Sequence, residues 1–161
     1  MAKAAPTEFT ALQKRLHWLV AALLLVQYLA FDAMGRPFHQ LMDGAGASYT
    51  VVTVGHIAIG VTILALAAWR IALRLSHGAP DAPAEEPAAF RLGAKAGHIG
   101  FYVLLFGLPL SGLVAWFGAV PAAAEAHEIA TNVLIALAAL HIAAALVHQF
   151  WWKTGLIRRM T

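Results

Sequence analysis

The sequence predicts an all-α integral membrane protein: one domain over residues 1–161, folded as a bundle of four transmembrane helices. Composition is the first observation, with 61% hydrophobic and only 12% charged residues and a mean hydropathy of +0.72. A soluble domain carries about 25% charged residues, so this chain needs a lipid bilayer around it. The second observation is that four segments each reach the roughly 20 apolar residues that a span requires.

The four segments are separated by short connectors. The predicted spans cover residues 16–34, 51–73, 97–117 and 128–152. A polar, proline-rich loop is expected at 76–90 and a short connector containing Pro121 at 118–126. The first apolar run is longer than the core of a typical signal peptide and has no clear cleavage site, so it is interpreted as a retained span.

Basic residues set the expected orientation. If the spans alternate, ten Lys and Arg residues fall on one side and only Arg36 falls on the other. The ten are Lys3, Lys14, Arg15, Arg70, Arg74, Arg91, Lys95, Lys153, Arg158 and Arg159. This asymmetry predicts that both termini and the 76–96 loop lie in the cytoplasm. The formal charge of +3 therefore reflects topology and does not indicate nucleic-acid binding.

Tryptophans add interfacial markers to this topology. Trp18, Trp69, Trp151 and Trp152 lie beside the basic side, as an aromatic belt does. Trp116 is expected to mark the opposite interface.

Eight histidines are the main sign of function. His39 and His77 are expected in loops. The other six lie in or at the ends of spans: His17, His56, His98, His127, His141 and His148. Ionisable residues within membranes are rare and usually face the bundle interior. A single histidine is explained equally well by an interhelical hydrogen bond, but six in one small bundle favour a cofactor.

The spacing of these histidines predicts two levels, which are two depths in the membrane that each contain a pair of histidines. His127 and His141 are fourteen residues apart, which brings them within ~40° on the same helix face and ~21 Å apart along its axis. Depth in the membrane then pairs His56 with His127 near the outer surface. It pairs His17 with His141 near the cytoplasmic surface.

Paired imidazoles across a helix bundle are the ligand arrangement of b-type haem. The pattern therefore predicts two haem b groups stacked inside the bundle, and the absence of cysteine fits haem that is not covalently attached. Zinc usually collects three or four close ligands. A proton relay would need interior carboxylates, which the spans lack. Gly55 and Gly60 beside His56 fit a planar ligand or ordinary close helix packing, and so do the glycines of the third span, Gly97, Gly100, Gly107 and Gly112.

Four segments together resemble the bacterial cytochrome b561 family of small, four-span, dihaem b proteins. They are "RLHWLV", "GHIAIGVTILALAAWRIALRL", "AKAGHIGFYVLLFGLPLSGLVAWF" and "HEIATNVLIALAALHIAAALVHQFWWK". The resemblance implies haem iron ligands at His17, His56, His127 and His141, and quinone as a redox partner. Some relatives oxidise superoxide at the outer face and reduce ubiquinone. Others are membrane subunits that exchange electrons with a dehydrogenase or hydrogenase.

Two further histidines receive roles beside the predicted ligands. His98 lies at much the same depth as His17 and is assigned a supporting contact to the haem or its propionate. His148 lies ~10 Å beyond His141 toward the cytoplasm. With Trp151 and Trp152 beside it, His148 predicts a quinone or propionate site, while contact with lipid headgroups remains the alternative. Lys14, Arg15 and Lys153 are further candidates for propionate binding.

The leading hypothesis is an inner-membrane dihaem b-type cytochrome that carries electrons across the membrane to or from the quinone pool. No catalytic side chain is assigned. One alternative is a superoxide:ubiquinone oxidoreductase that uses the same haems, and another is a non-redox membrane subunit. The expected electron donor is superoxide or a periplasmic redox protein. Against superoxide, the outer loop before His127 is short, and Asp43 and Glu125 offset the positive charge of Arg36.

Overall fold

The computed structural model describes residues 6–81 and 86–161, and helices dominate these ranges. A π-helical turn, Val147–Trp151, and a 3-10 helix, Leu156–Arg159, follow the last of five α-helices. The α-helices are α1 (Ala11–Ala30), α2 (Gly35–Met42), α3 (Val51–His77), α4 (Ala88–Gly118) and α5 (Pro121–Leu146). The all-helical membrane fold expected from composition is confirmed.

Two helices begin at side-chain caps. The Thr10 hydroxyl accepts the backbone N–H of Gln13, and the Gln13 side chain accepts the backbone N–H of Thr10. Thr50 and Thr53 form the same reciprocal arrangement at the start of α3. Such caps satisfy backbone donors that have no partner inside the helix. Helix α1 therefore starts in polar sequence, before the apolar segment predicted from residue 16.

Among the described residues, three helices are long and apolar enough to cross a membrane: α3, α4, and α5 with its π-helical turn. The fourth candidate is α1 together with α2, which meet at a bend of 68°. Helix α2 carries Arg36 and His39, both exposed. His39 therefore lies in a short helix and not in a loop, although its expected exposure is found.

The two predicted connectors differ from the observed ones. Helix α3 runs to His77 and α4 starts at Ala88, so helix covers both ends of the expected 76–90 loop, of which residues 82–85 lie outside the described ranges. The connector expected at 118–126 is mostly helical, because α5 starts at Pro121. Proline suits the first helical position, where its missing N–H costs nothing, and the alanines after it favour helix.

The apolar core lies on one side of the bundle. Val20, Ile63, Ala67 and Leu105 are buried together, where α1 packs on α3 and α3 packs on α4. Helix α5 packs closely on α4 but contributes only Leu134 to the buried apolar residues. Within the described ranges, the backbone of α5 makes few close approaches to α1 and α3. Side chains from these three helices meet across the resulting gap.

The tryptophans divide into two environments. Trp18, Trp69, Trp151 and Trp152 are exposed, as an interfacial belt requires. Trp116 is only 5% exposed and packs edge-on against Tyr49, with ring centroids 6.0 Å apart. The expectation that Trp116 marks the outer lipid interface is therefore wrong, because its indole ring is enclosed by protein.

Candidate haem-binding site

The outer histidine pair has the separation of two axial ligands. The ring centroids of His56 on α3 and His127 on α5 lie 6.0 Å apart. A metal–imidazole bond is about 2 Å long, so two rings bound to opposite faces of one metal ion have centroids roughly 6.3 Å apart. Both rings are half-buried and lie in the gap beside α5. The separation therefore fits one iron between His56 and His127.

The backbone fixes which nitrogen of each ring is free. His56 donates from Nδ1 to the carbonyl oxygen of Phe31 at 2.7 Å, and His127 donates from Nδ1 to that of Leu108 at 2.8 Å. A carbonyl can only accept, so the proton of each ring lies on Nδ1 and Nε2 keeps its lone pair. Histidines that bind metals commonly donate their other N–H in this way, which also orients the ring. Ser111 lies 3.3 Å from the same nitrogen of His127.

Glycines make room for the groups that hold these rings. A Cβ at Gly112 would lie 3.1 Å from Cε1 of His127, so only glycine lets this ring lie against α4 without displacement. A Cβ at Gly55 would overlap the ring of Phe31, the residue whose carbonyl binds His56. Both glycines therefore support the outer pair by close packing between helices.

The inner level contains three histidines. The ring centroids of His17 and His141 lie 6.2 Å apart, which again fits two axial ligands. His98 is equally near, with its ring centroid 6.1 Å from that of His141. His141 therefore faces two possible partners. His17 and His98 therefore lie at nearly equal distances from His141, and the depth predicted for His98 is the depth at which its ring lies.

Arg70, predicted only as one of ten basic residues on the cytoplasmic side, is a further functional candidate. Its guanidinium is half-buried, with Nη2 3.5 Å from Nδ1 of His17 and Nη1 3.4 Å from the carbonyl of Gln13. Both contacts are at the weak limit for hydrogen bonds, so the cation keeps capacity for an anion. A sequence signal existed, because Arg70 follows His56 by the same fourteen residues that separate His127 from His141.

His148 is buried and bonded through both ring nitrogens. Nε2 lies 3.3 Å from a carboxylate oxygen of Glu86, and Nδ1 lies 3.0 Å from the hydroxyl of Thr154. Trp152 packs edge-on against the ring at a centroid distance of 4.6 Å. Trp151 is 82% exposed and faces outward. Of the two tryptophans expected beside His148, Trp152 therefore contacts the ring, and Glu86 was missed because it lies in a polar connector.

The basic residues at the start of α1 lie at the surface. Lys14 donates to the carbonyl oxygen of Thr161 at 2.8 Å, and Trp18 donates to that of Met160 at 2.7 Å. Lys14, Arg15 and Trp18 line a surface groove of about 630 Å³ between α1 and the C-terminal residues. Lys14 is therefore engaged by the chain itself, and Arg70 is the nearer cation to the inner histidines.

The residues of the gap fit haem b. At both histidine levels the ring centroids have the separation expected of two ligands of one metal ion. In the outer pair, Nε2 of each ring has a lone pair that can bind iron. Two buried polar atoms among the described residues lack a protein partner near these levels: Nε1 of Trp116 and Oε1 of Gln27. Gln27 itself donates to the carbonyl of His56 at 3.0 Å. A membrane bundle with such paired histidines has the architecture of a b-type cytochrome.

Comparison with known proteins establishes the family. The model of the prokaryotic cytochrome b561 family matches residues 8–161, so the chain belongs to that family. It is 32% identical to cytochrome b562 of Cereibacter sphaeroides over 158 residues, which cover 94% of each protein. It is 27% identical to a probable superoxide oxidase, CybB, of Yersinia pestis, with 95% of each covered.

A third relative is cytochrome b561 homolog 1 of Escherichia coli, at 23% identity with 94% of this chain and 96% of that protein covered. These likenesses extend over nearly the whole chain. They confirm the expected resemblance and identify a bacterial multi-pass membrane protein, a b-type cytochrome that binds haem b and transfers electrons. The alternative of a non-redox membrane subunit has no support from them.

Proposed function

We propose that this cytochrome holds two haem b groups and carries electrons across the bacterial inner membrane to or from the quinone pool. The observation that carries the proposal is the histidine geometry. Ring centroids are 6.0 Å apart at the outer level and 6.2 Å apart at the inner level. The sequence spacing separates the levels by ~21 Å along the helix axis. Two cofactors at these levels would divide the apolar membrane thickness into shorter electron-transfer steps.

Each ligand pair has a distinct supporting environment. Haem b, when bound, supplies reversible one-electron oxidation and reduction. At the outer level, His56 and His127 would hold the iron through Nε2, and the carbonyl acceptors at Nδ1 would orient the rings and raise their basicity. At the inner level, His17 and His141 are the proposed ligands, with His98 in the supporting position. Arg70 places a positive charge beside His17.

The quinone site is proposed at the cytoplasmic end of α5, around His148. The buried His148 and Glu86 side chains form a pair that can hold a proton at Nε2, and quinone reduction consumes two protons with two electrons. Trp152 offers an aromatic wall at the same level, and the exposed Trp151 lies where a ring would enter from lipid. A quinone oxygen would take the place of the Glu86 carboxylate as the partner of Nε2.

Superoxide is the second candidate donor, and one specific finding favours it. The Yersinia pestis relative is named a probable superoxide oxidase. Loss of one electron converts superoxide to dioxygen, and two such electrons with two protons convert ubiquinone to ubiquinol. Exposed Arg36 on α2 would attract the anion at the outer surface, with His39 beside it on the same helix. A periplasmic redox protein that docks on this surface is the competing donor.

The proposal includes an orientation with both termini in the cytoplasm, supported by the ten-to-one distribution of Lys and Arg. A reporter fused after Thr161 should be active only as a cytoplasmic fusion, and one inserted near Asp43 only as a periplasmic one. A periplasmic C-terminus would contradict this orientation. The proposed quinone site and the histidine pair His17 and His141 would then lie on the periplasmic side.

Stopped-flow oxidation of the reduced protein by a soluble ubiquinone analogue tests the function. Rapid oxidation of the whole haem signal is expected, followed by renewed reduction when superoxide or a soluble donor is supplied. Reduction by superoxide with no reduction by the soluble donor would favour the superoxide oxidase. A haem-loaded protein that does not react with the quinone analogue would contradict exchange with the quinone pool.

A further inference from the structure

The indole of Trp116 contains a buried donor without an acceptor in the described part of the chain. The residue is 5% exposed, and its Nε1 finds no hydrogen-bond partner. A buried donor left without a partner costs about 1–3 kcal/mol, and such groups are rare in folded proteins. The N–H of Trp116 therefore indicates an acceptor other than the residues 6–81 and 86–161 that the structure describes.

Trp116 lies close to the outer histidine pair, His56 and His127, toward the outer end of α4. Trp116 follows Gly112 by four residues, so both lie on one face of α4, and Trp116 is ~6 Å farther toward the outer end. Gly112 is the position at which His127 lies against α4. Tyr49, just before α3, packs edge-on against the indole and limits its rotation. The donor thus lies one helical turn outward from a proposed axial ligand.

The outer level offers few positively charged donors to a haem carboxylate. A haem carboxylate there must avoid the apolar membrane interior and point outward, and a buried carboxylate needs donors. The outer side has Arg36 as its only Lys or Arg in the expected topology, and Arg36 is exposed on α2. The inner level has Arg70 next to His17. A neutral donor is therefore more valuable at the outer level than at the inner one.

We infer that Trp116 donates its indole N–H to a propionate carboxylate of the outer haem. The inference rests on the proposed function, since it requires a haem between His56 and His127. Trp116 is a positioning residue, because it fixes the porphyrin edge and does not bind iron. A hydrogen bond to a charged acceptor contributes about 1.5–3 kcal/mol, which corresponds to a roughly 10- to 100-fold effect on haem retention.

The substitution Trp116→Phe removes the N–H and keeps an aromatic ring. The outer haem should dissociate to an apohaem acceptor at least ~10-fold faster, its propionate bending band in resonance Raman spectra should shift, and its reduction potential should fall. The potential falls because the lost donor dipole had offset the negative carboxylate, which otherwise favours ferric iron. Trp69→Phe, at an exposed indole near the inner level, should change none of these.

Four results decide the matter. Fewer than two haems in the unsubstituted protein would overturn the proposed function itself. Two haems there, with an unchanged propionate band and unchanged retention in Trp116→Phe, would overturn only the role of Trp116. The role of Trp116 toward the propionate is also overturned if Trp116→Phe slows superoxide oxidation and changes nothing else. The indole N–H would then bind superoxide and not the propionate. If Trp116→Phe retains no haem, Trp116→His, which restores a ring N–H, must recover both haems, and failure to do so overturns the inference.

Discussion

His127 donates its Nδ1 proton to the carbonyl oxygen of Leu108 at 2.8 Å, which joins the proposed ligand on α5 to the backbone of α4. His56 makes the equivalent bond to Phe31 at 2.7 Å. Replacing either histidine by alanine should remove the outer haem and leave the inner one, so haem content falls from two to one per chain. His39→Ala, at an exposed position on α2, is the matched control and should retain both. Quantitative haem extraction from each purified variant measures this, and two haems in His127→Ala would refute the outer pair.

Gly112→Ala tests the packing of the His127 ring. The new methyl group would lie 3.1 Å from Cε1 and 3.2 Å from Nδ1 of His127, so the ring must move and its bond to Leu108 must lengthen. Weakened support of a metal-bound histidine typically costs 10- to 100-fold in affinity, so about this loss of outer-haem retention is expected. Gly93→Ala, where a methyl group meets nothing within 4 Å, is the control. Equal haem retention in the two variants would show that the ring position does not depend on Gly112.

The inner level requires a direct comparison of His17 and His98. Their ring centroids lie 6.2 and 6.1 Å from that of His141. His17→Ala and His141→Ala should each remove the inner haem, whereas His98→Ala should retain it with an altered spectrum. Low-temperature absorption and electron paramagnetic resonance of the three variants distinguish these outcomes. Loss of the inner haem in His98→Ala, together with its survival in His17→Ala, would transfer the ligand role to His98.

The comparison of His17 with His98 shows which features of the site could be predicted from the sequence. Membrane depth can be counted from residue number at 1.5 Å per residue, so the two histidine levels were predictable. The rotation and neighbours of each helix depend on packing, so depth could not show that His98 and His17 are equally near His141. Sequence composition also placed Trp116 at the lipid interface, although it is buried against Tyr49.

The predicted bounds of the helices differ from the observed ones for another physical reason. The predicted spans counted apolar residues, while real helices extend through polar sequence where caps or proline allow it. Helix α5 starts at Pro121 and α4 starts after Pro87. Glu86 therefore fell within the polar loop predicted at 76–90, although the start of α4 brings its side chain to His148.

The Glu86–His148 pair should control reaction with quinone without affecting haem binding. Glu86→Gln keeps the side-chain volume but removes the carboxylate that faces Nε2 at 3.3 Å. Oxidation of the reduced haems by a soluble quinone analogue should slow by about 100-fold, the lower end of the range for loss of one proton-transfer group, while both haem spectra stay intact. His77→Ala, at an exposed residue at the end of α3, is the control. Unchanged quinone kinetics in fully loaded Glu86→Gln and His148→Ala would place the quinone site elsewhere.

The haem-to-protein ratio of the unsubstituted cytochrome, measured with a reduced-minus-oxidised spectrum, tests the central claim most directly. Two pairs of ring centroids near 6 Å and the absence of cysteine predict two low-spin haems per chain, all extractable by acid–acetone. One haem per chain, or a fraction that resists extraction, would contradict the two-level account.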